Sequence, residues 1–148
     1  MCRNNCYNCG TMSSVDNLKT LLASFGYSVT KPRLRVFEAL LGHESLSMHD
    51  LLHRLDTIDR ASAYRTVELF ERLGIVQRIN TGWKYKLELS DKFAKHHHHL
   101  TCTQCGRTIA MNENELEQLI TRMAQAHHFK PSAHQIEIQG LCQNCQTS

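Results

Sequence analysis

Cys102-Thr-Gln-Cys105 and Cys142-Gln-Asn-Cys145 carry the chain's strongest chemical signal. Two residues between thiolates let one tight turn aim both sulfurs at one ion, and two such turns complete a tetrahedron around zinc. Gly106, directly after Cys105, suits the close backbone turn of such a knuckle. Four protein ligands leave no open position, so the spacing implies a structural Zn2+ rather than a catalytic one. Zinc held this way adds about 10–16 kcal/mol of apparent binding energy to folding. In a reducing compartment paired C-x-x-C units point to metal before disulfide. A redox pair, or four unrelated thiols, is the weaker account.

His96-His97-His98-His99 runs directly into Leu100-Thr101-Cys102. In an extended segment side chains alternate faces. His96 and His98 then point one way, and His97 and His99 the other. One tetrad can serve two metal sites if partners arrive from elsewhere, and Glu88, Glu117 and His134 are the candidates. Mixed His and Glu ligation suits zinc, ferrous iron, manganese or cobalt without choosing among them. The bland account is a solvated cluster that takes up metal adventitiously. His49 and His53, four apart on one helical face, are by default plain surface.

The elements that must position these groups follow from periodicity. Val15, Leu18, Leu21, Leu22 and Phe25 fall at helical spacing, and Gly26 stops that helix. A second helix is expected from Thr30 as cap, with Pro32 in its first turn and Val36, Phe37, Leu40 and Leu41 on one face. Ser47 caps a third, with Met48, Leu51, Leu52 and Leu55 inward. The fourth starts near Asp59, turns Val67, Phe70 and Leu73 inward, and stops at Gly74. Ile75 to Ile79, a turn at Asn80-Thr81-Gly82, and Trp83, Tyr85, Leu87 and Leu89 then read as a hairpin. Helices followed by a hairpin make a winged helix-turn-helix over residues 15–89. Residues 90–95 are polar and read as a hinge. Beyond it come the His-rich strand, a strand around Arg107 to Met111, a helix from Asn112 to about His128, and a strand from His134 to Gln139. The fold class is therefore α+β, in two parts. Residues 1–14 are a polar, Cys-rich tail without periodicity.

The 148 residues are 41% hydrophobic and 21% charged, a globular balance that suits one domain or two small ones. No apolar run is long enough to span a membrane, and the first twelve residues hold no apolar leader; the expected location is cytoplasmic. Net charge is +3, weak support for a nucleic-acid partner. Cys2-x3-Cys6-x2-Cys9 has the spacing of a radical S-adenosylmethionine cluster motif. That motif belongs to a barrel of about 250 residues, which this chain cannot hold. No enzyme and no small-molecule substrate is expected. A metal chaperone or storage protein using the same His and Cys groups is the alternative reading.

Taken together, Gly26-x-x-Val-Thr30-x-x-Arg33, Ala63-Tyr64-Arg65-Thr66, Leu73-Gly74-Ile75-Val76, the HHHHLTCTQCG stretch and Gly140-Leu-Cys142-Gln-Asn-Cys145 resemble the ferric uptake regulator family. The match runs from about Val15 to Cys145. The resemblance implies a metal-loaded homodimer that binds a palindromic double-stranded DNA operator and represses transcription, with residues 96–148 as metal-binding dimerisation domain. It makes the fourth helix the reader: Tyr64 packs on a thymine methyl, and Arg65 takes a guanine edge or phosphate. Ser62 and Thr66 are implied phosphate contacts, Arg33 and Lys19 backbone or minor-groove contacts, and Lys84 and Lys86 flank DNA from the wing. For metal it implies one site from His96, His98, Glu117 and His134. Glu88, His97 and His99 contribute to a second, inter-domain site. The regulatory ion is then Fe2+ or Zn2+, with Mn2+ behind them. Two departures stand against the family pattern. Ala110 occupies a position where many members carry an acidic ligand. In place of a histidine before the third helix the chain offers only His43 and Glu44 nearby.

Overall fold

The computed structural model describes residues 13–43, 45–81, 84–111 and 114–147. The tail cysteines Cys2, Cys6 and Cys9, together with Glu44, Gly82 and Trp83, lie outside them. The front half is helical because its apolar residues recur at helical spacing and its helices carry start signals. Ser13 caps α1 (Ser14–Ser24) by accepting the Asp16 amide. α2 (Lys31–Leu40) follows Thr30, with Pro32 in its first turn; Thr30 makes no side-chain cap bond. Ser47 caps α3 (Met48–Arg54) through the Asp50 amide, and Asp59 caps α4 (Arg60–Arg72) through the Ser62 amide. Each such bond answers an amide that the helix itself leaves without a partner. Gly74, at φ +62°, turns the chain out of α4 in a left-handed conformation that other residues resist.

Leu18, Leu22, Val36, Phe37, Leu40, Leu51, Val67 and Phe70 pack into one cluster from all four helices. β1 (Val76–Asn80) pairs antiparallel with β2 (Tyr85–Leu89), setting Val76 opposite Leu89 and Gln77 opposite Glu88. Val76, Leu87 and Leu89 close the same cluster, and Leu46 adds a single bridge to Leu87. The order is that of a winged helix.

The segment expected as a hinge is anchored instead. Ser90 binds Ile75 O through its amide (2.9 Å) and Gly74 O through its hydroxyl (2.7 Å). Lys92 Nζ reaches Leu73 O at 3.3 Å. Phe93 sets its ring edge-on to Phe37, with centroids 5.1 Å apart. A polar composition had hidden these backbone partners, so only Lys95 to His97 is left between the front half and the next strand.

The back half is a three-stranded sheet. Central β3 (His98–Cys102) runs antiparallel to β4 (Thr108–Met111) and parallel to β5 (Glu137–Gly140). α5 (Asn114–Ala126) lies in the connection between β4 and β5, and α6 (Gln143–Gln146) follows. β5 starts after His134 rather than at it, and the second cysteine pair sits on a helical turn that spacing alone did not indicate. The two halves differ sharply in burial. Among the described residues, nineteen of the twenty buried hydrophobic side chains precede Ser90, and Cys102 is the other.

Candidate metal centres and nucleic-acid surface

Cys102 ends β3, and the turn after it closes tightly: Gly106 N–H donates to Cys102 O at 2.9 Å, with Gly106 at φ +71°. Cys142 precedes α6 and Cys145 lies on it, joined by Cys145 N–H donating to Cys142 O at 2.9 Å. The parallel pairing of β3 with β5 brings the two turns together, since Cys102 stands opposite Gly140. All four sulfurs fall within 4.8 Å of one another, and Cys105 Sγ is 3.8 Å from Cys142 Sγ. Zinc–sulfur bonds near 2.3 Å put tetrahedral vertices about 3.8 Å apart, so the donor set fits a zinc ion. The backbone amides of Cys105 and Cys142 point at Cys102 Sγ and hold its thiol down at about 6. The thiol of Cys145, bonded to Cys142 and desolvated, is pushed up to about 12. Cys102 therefore presents a thiolate before Cys145 does.

The His tetrad divides as alternation requires. His96, His98, Glu117 and His134 gather on one side, Glu88, His97 and His99 on the other. In the first group His96 Nε2 lies 3.1 Å from His134 Nε2, and Glu117 Oε1 lies 2.8 Å from His98 Nε2 and 3.2 Å from His134 Nε2. Metal–nitrogen bonds of 2.0–2.1 Å would place tetrahedral donors about 3.3 Å apart; the observed spacings bracket that value. Burial raises the Glu117 carboxyl, but bonds from His134 and His98 outweigh it and hold the group below its ordinary value of 4.5. β3 carries His98, the preceding segment His96, α5 Glu117, and the loop before β5 His134.

In the second group the Glu88 carboxylate is only 1% exposed. Its Oε2 faces His99 Nε2 at 3.1 Å and His97 Nε2 at 3.2 Å, and Gln77 Nε2 donates to Oε1 at 2.6 Å. A carboxylate out of water is costly unless paired, and here its partners are two titratable rings and an amide. His97 Nδ1 bonds Lys95 O at 2.8 Å, which directs the Nε2 lone pair inward. The buried rings of His98 and His99 have no partner on Nδ1 among the described residues, so Nε2 is the working atom of each. This donor set also fits a divalent cation, with three donors. Ala110, opposite His99 across β3 and β4, offers none. His43 Nε2 is taken up by Arg54 Nη1 at 2.5 Å. Sequence reasoning missed Gln77 and Asp91, whose Oδ2 accepts from His96 Nδ1 at 2.5 Å. Counting register from the hairpin turn sets Gln77 beside Glu88; nothing in the sequence marked Asp91.

The outer face of α4 presents Tyr64, 41% exposed, and Arg65, whose Nη2 bonds Ser62 Oγ at 3.3 Å. Thr66 is only 5% exposed. Its place on the inward stripe with Ala63, Val67 and Phe70 removes it from the expected phosphate contacts. Lys19 pairs with Asp16 at 3.1 Å on α1. Arg33 bonds Ser28 O and lies over the Tyr27 ring, 5.4 Å from its centroid. Lys84 and Lys86 flank or lie on β2. His49 and His53 bring their Nε2 atoms within 3.2 Å on the surface of α3.

Comparison with known proteins decides the family. The ferric uptake regulator family model matches residues 24–139. The chain belongs to that family. It is 31% identical over 139 residues to the ferric uptake regulation protein of Synechococcus elongatus, covering 89% of this chain and 95% of that one. The crystal structure of the Vibrio cholerae ferric uptake regulator superposes with a TM-score of 0.69 at 31% identity, covering 84% of this chain and 99% of that one. A zinc-bound manganese uptake regulator superposes at 0.61 with 28% identity, covering 84% and 98%. Ferric uptake regulators are metal-responsive transcription regulators with a DNA-binding winged helix, and this chain has that architecture. No described helix is long and apolar enough to cross a membrane.

Proposed function

We propose that this ferric uptake regulator homologue is a metal-gated repressor that binds a palindromic operator as a homodimer. The observation that carries the reading is the Glu88–His97–His99 cluster. Glu88 belongs to the hairpin of the winged helix, and the two histidines belong to the segment entering the back sheet. A divalent ion held there supplies the charge that satisfies a buried carboxylate and two imidazole lone pairs at once. The residues themselves do the coupling: Glu88 can meet His97 and His99 only when the hairpin and β3 hold one relative setting. Loading thus favours one arrangement of the DNA-reading units among those populated without metal. His96, His98, Glu117 and His134 make the second exchangeable centre, and the four cysteines hold structural zinc.

Tyr64 and Arg65 are the base-reading pair, with Ser62 on phosphate and Arg33 and Lys19 on the flanking backbone; Thr66 supports α4 from inside. Dimerisation is supported by the apolar face of the back half. Ile109, Leu100 and Ile138 align across β4, β3 and β5, with Ile109 and Ile138 exposed. Leu119 and Met123 are exposed on α5, which buries no residue within the chain. Exposed apolar side chains aligned across a sheet suit an interface, and two-fold symmetry suits a palindrome.

Fluorescence anisotropy with the DNA upstream of the protein's own coding sequence tests the proposal. The cysteine-bound zinc is retained, exchangeable metal is stripped, and Zn2+, Fe2+ and Mn2+ are returned separately at constant salt. A tenfold or greater rise in affinity with one metal, about 1.4 kcal/mol of coupling, is expected. Metal uptake without DNA binding under any condition would favour a storage or chaperone role instead.

A further inference from the structure

Asp91 belongs to no motif, yet its carboxylate has a defined place. With His96 Nδ1–H donating to Asp91 Oδ2 at 2.5 Å, the His96 Nε2 lone pair faces His134 Nε2 at 3.1 Å and Glu117 Oε1 at 3.4 Å. A carboxylate behind an imidazole fixes the tautomer and orientation of the ring and raises its basicity. The backbone that carries Asp91 is held on both sides. Ser90 bonds Ile75 O and Gly74 O, and Lys92 Nζ reaches Leu73 O at 3.3 Å. Leu73 and Gly74 close the last turn of α4, where carbonyls lack helical partners and a cation is favoured. Phe93 then locks the turn against Phe37. A cleft of about 320 Å³ lined by Gln77, Asp91, His96 and His134, among others, separates the front hairpin from the loop before β5.

We infer that Asp91 is a positioning residue that ties the His96–His98–Glu117–His134 centre to the C-terminal turn of α4, so that loading of this centre reaches the DNA-reading helix through the Ser90–Lys92 turn. The inference rests on the proposed reading of that cluster as an exchangeable metal centre. A ring free to swing could take up an ion without disturbing the turn. His96 is held at Nδ1 by Asp91, so any setting imposed on its Nε2 is also imposed on Asp91. The Ser90 and Lys92 bonds then carry it to Leu73 and Gly74. The Glu88 cluster starts instead from the hairpin, and the two routes meet at Leu89 and Ser90, the residues between Glu88 and Asp91.

The test uses the 148-residue chain with its cysteine-bound zinc retained and Co2+ as the probe, read by visible absorption. The Co2+ phase belonging to this centre is the one that His134→Ala abolishes. Asp91→Ala is expected to weaken that phase about 10–100-fold, and Asp91→Asn, which keeps an acceptor oxygen without the charge, less. Ser90→Ala should leave Co2+ affinity unchanged. It should nevertheless bring the ratio of DNA affinities with and without saturating Co2+ toward one. Wild-type Co2+ affinity in Asp91→Ala overturns the positioning role; an unchanged ratio in Ser90→Ala overturns the conduit. A ratio of one in the unmodified protein sinks the repressor reading and the conduit with it, while the Co2+ titration still decides whether Asp91 positions His96.

Discussion

With zinc on the four cysteines, as proposed, its removal should unfold the back half of this protein and spare the front. Fully burying a Val, Leu, Ile, Phe or Met side chain contributes about 1.5–3 kcal/mol. Leu18, Leu22, Val36, Phe37, Leu40, Leu51, Phe70 and their neighbours supply that term many times over before Ser90. After it, the buried side chains among the described residues are His98, His99, Thr101 and Cys102, none of them aliphatic or aromatic hydrocarbon. A structural zinc site contributes about 10–16 kcal/mol of apparent binding energy, the size of an ordinary domain's whole stability of about 5–15 kcal/mol. The back sheet has little else of that size within one chain. Cys142→Ser replaces one of the four sulfur donors with a hydroxyl, a poor zinc ligand.

The expected outcome is a partial unfolding. α5 and α6 hold 17 of the 58 described helical residues, so far-ultraviolet ellipticity should fall by that share and then stop. Hydrogen exchange followed by peptide mass spectrometry should show β3, β4 and β5 losing protection while α2 and α4 keep it. The proposed dimer should also dissociate, because the exposed apolar side chains on the sheet and α5 lose the fold that carries them. A single transition that melts every element together would refute the reasoning, since the front core would then depend on the back. Full retention of sheet protection in Cys142→Ser would refute it from the other side.

Three further outcomes are expected. Tyr64→Ala should lower operator affinity with metal content unchanged, checked by anisotropy alongside elemental analysis; equal loss of metal would remove Tyr64 from the DNA surface. His134→Ala should lose one exchangeable equivalent before any change in folding, and normal metal and operator binding would defeat its assignment. The Asp59 carboxyl is held below its ordinary value of 3.8, chiefly by its bonds with Ser62 at the start of α4. Stabilisation from a depressed carboxyl is complete above the ordinary value and is lost as pH falls through the lower folded value. Urea midpoints should therefore fall more steeply below pH 4 in the parent than in Asp59→Asn, and parallel profiles would show that the Asp59 charge contributes nothing there.

Periodicity and start signals predicted the four front helices because helical spacing and an N-terminal side chain are local properties, readable at Ser47 and Asp59; Ser13, the cap of α1, was placed in the tail. Alternation divided the tetrad because His96 to His99 are consecutive and extended. What escaped was set by contacts between distant segments. The resemblance made Thr66 a phosphate contact, but helical rotation turns it inward beside Val67 and Phe70. Residues 90–95 looked like a hinge because polar composition says nothing about backbone partners such as Gly74 O and Ile75 O. Gln77 was silent because its role depends on register with Glu88.

Those same long-range contacts give the two His centres different neighbours. Glu88 carries its centre to the hairpin, while Asp91 carries the other toward the end of α4. The residues separating them, Leu89 and Ser90, are respectively buried in the front core and bonded to Gly74. A shift at either centre therefore acts on one rigid unit from two points, and the effects of loading both should not be additive. Coupling is expected because residues in one bonded network depart from additivity by about 0.5–3 kcal/mol. Operator affinity of Glu88→Ala, Asp91→Ala and the double variant, each at saturating metal, measures the term. Strict additivity would mean that the two centres address independent elements and that the Ser90 turn is not shared.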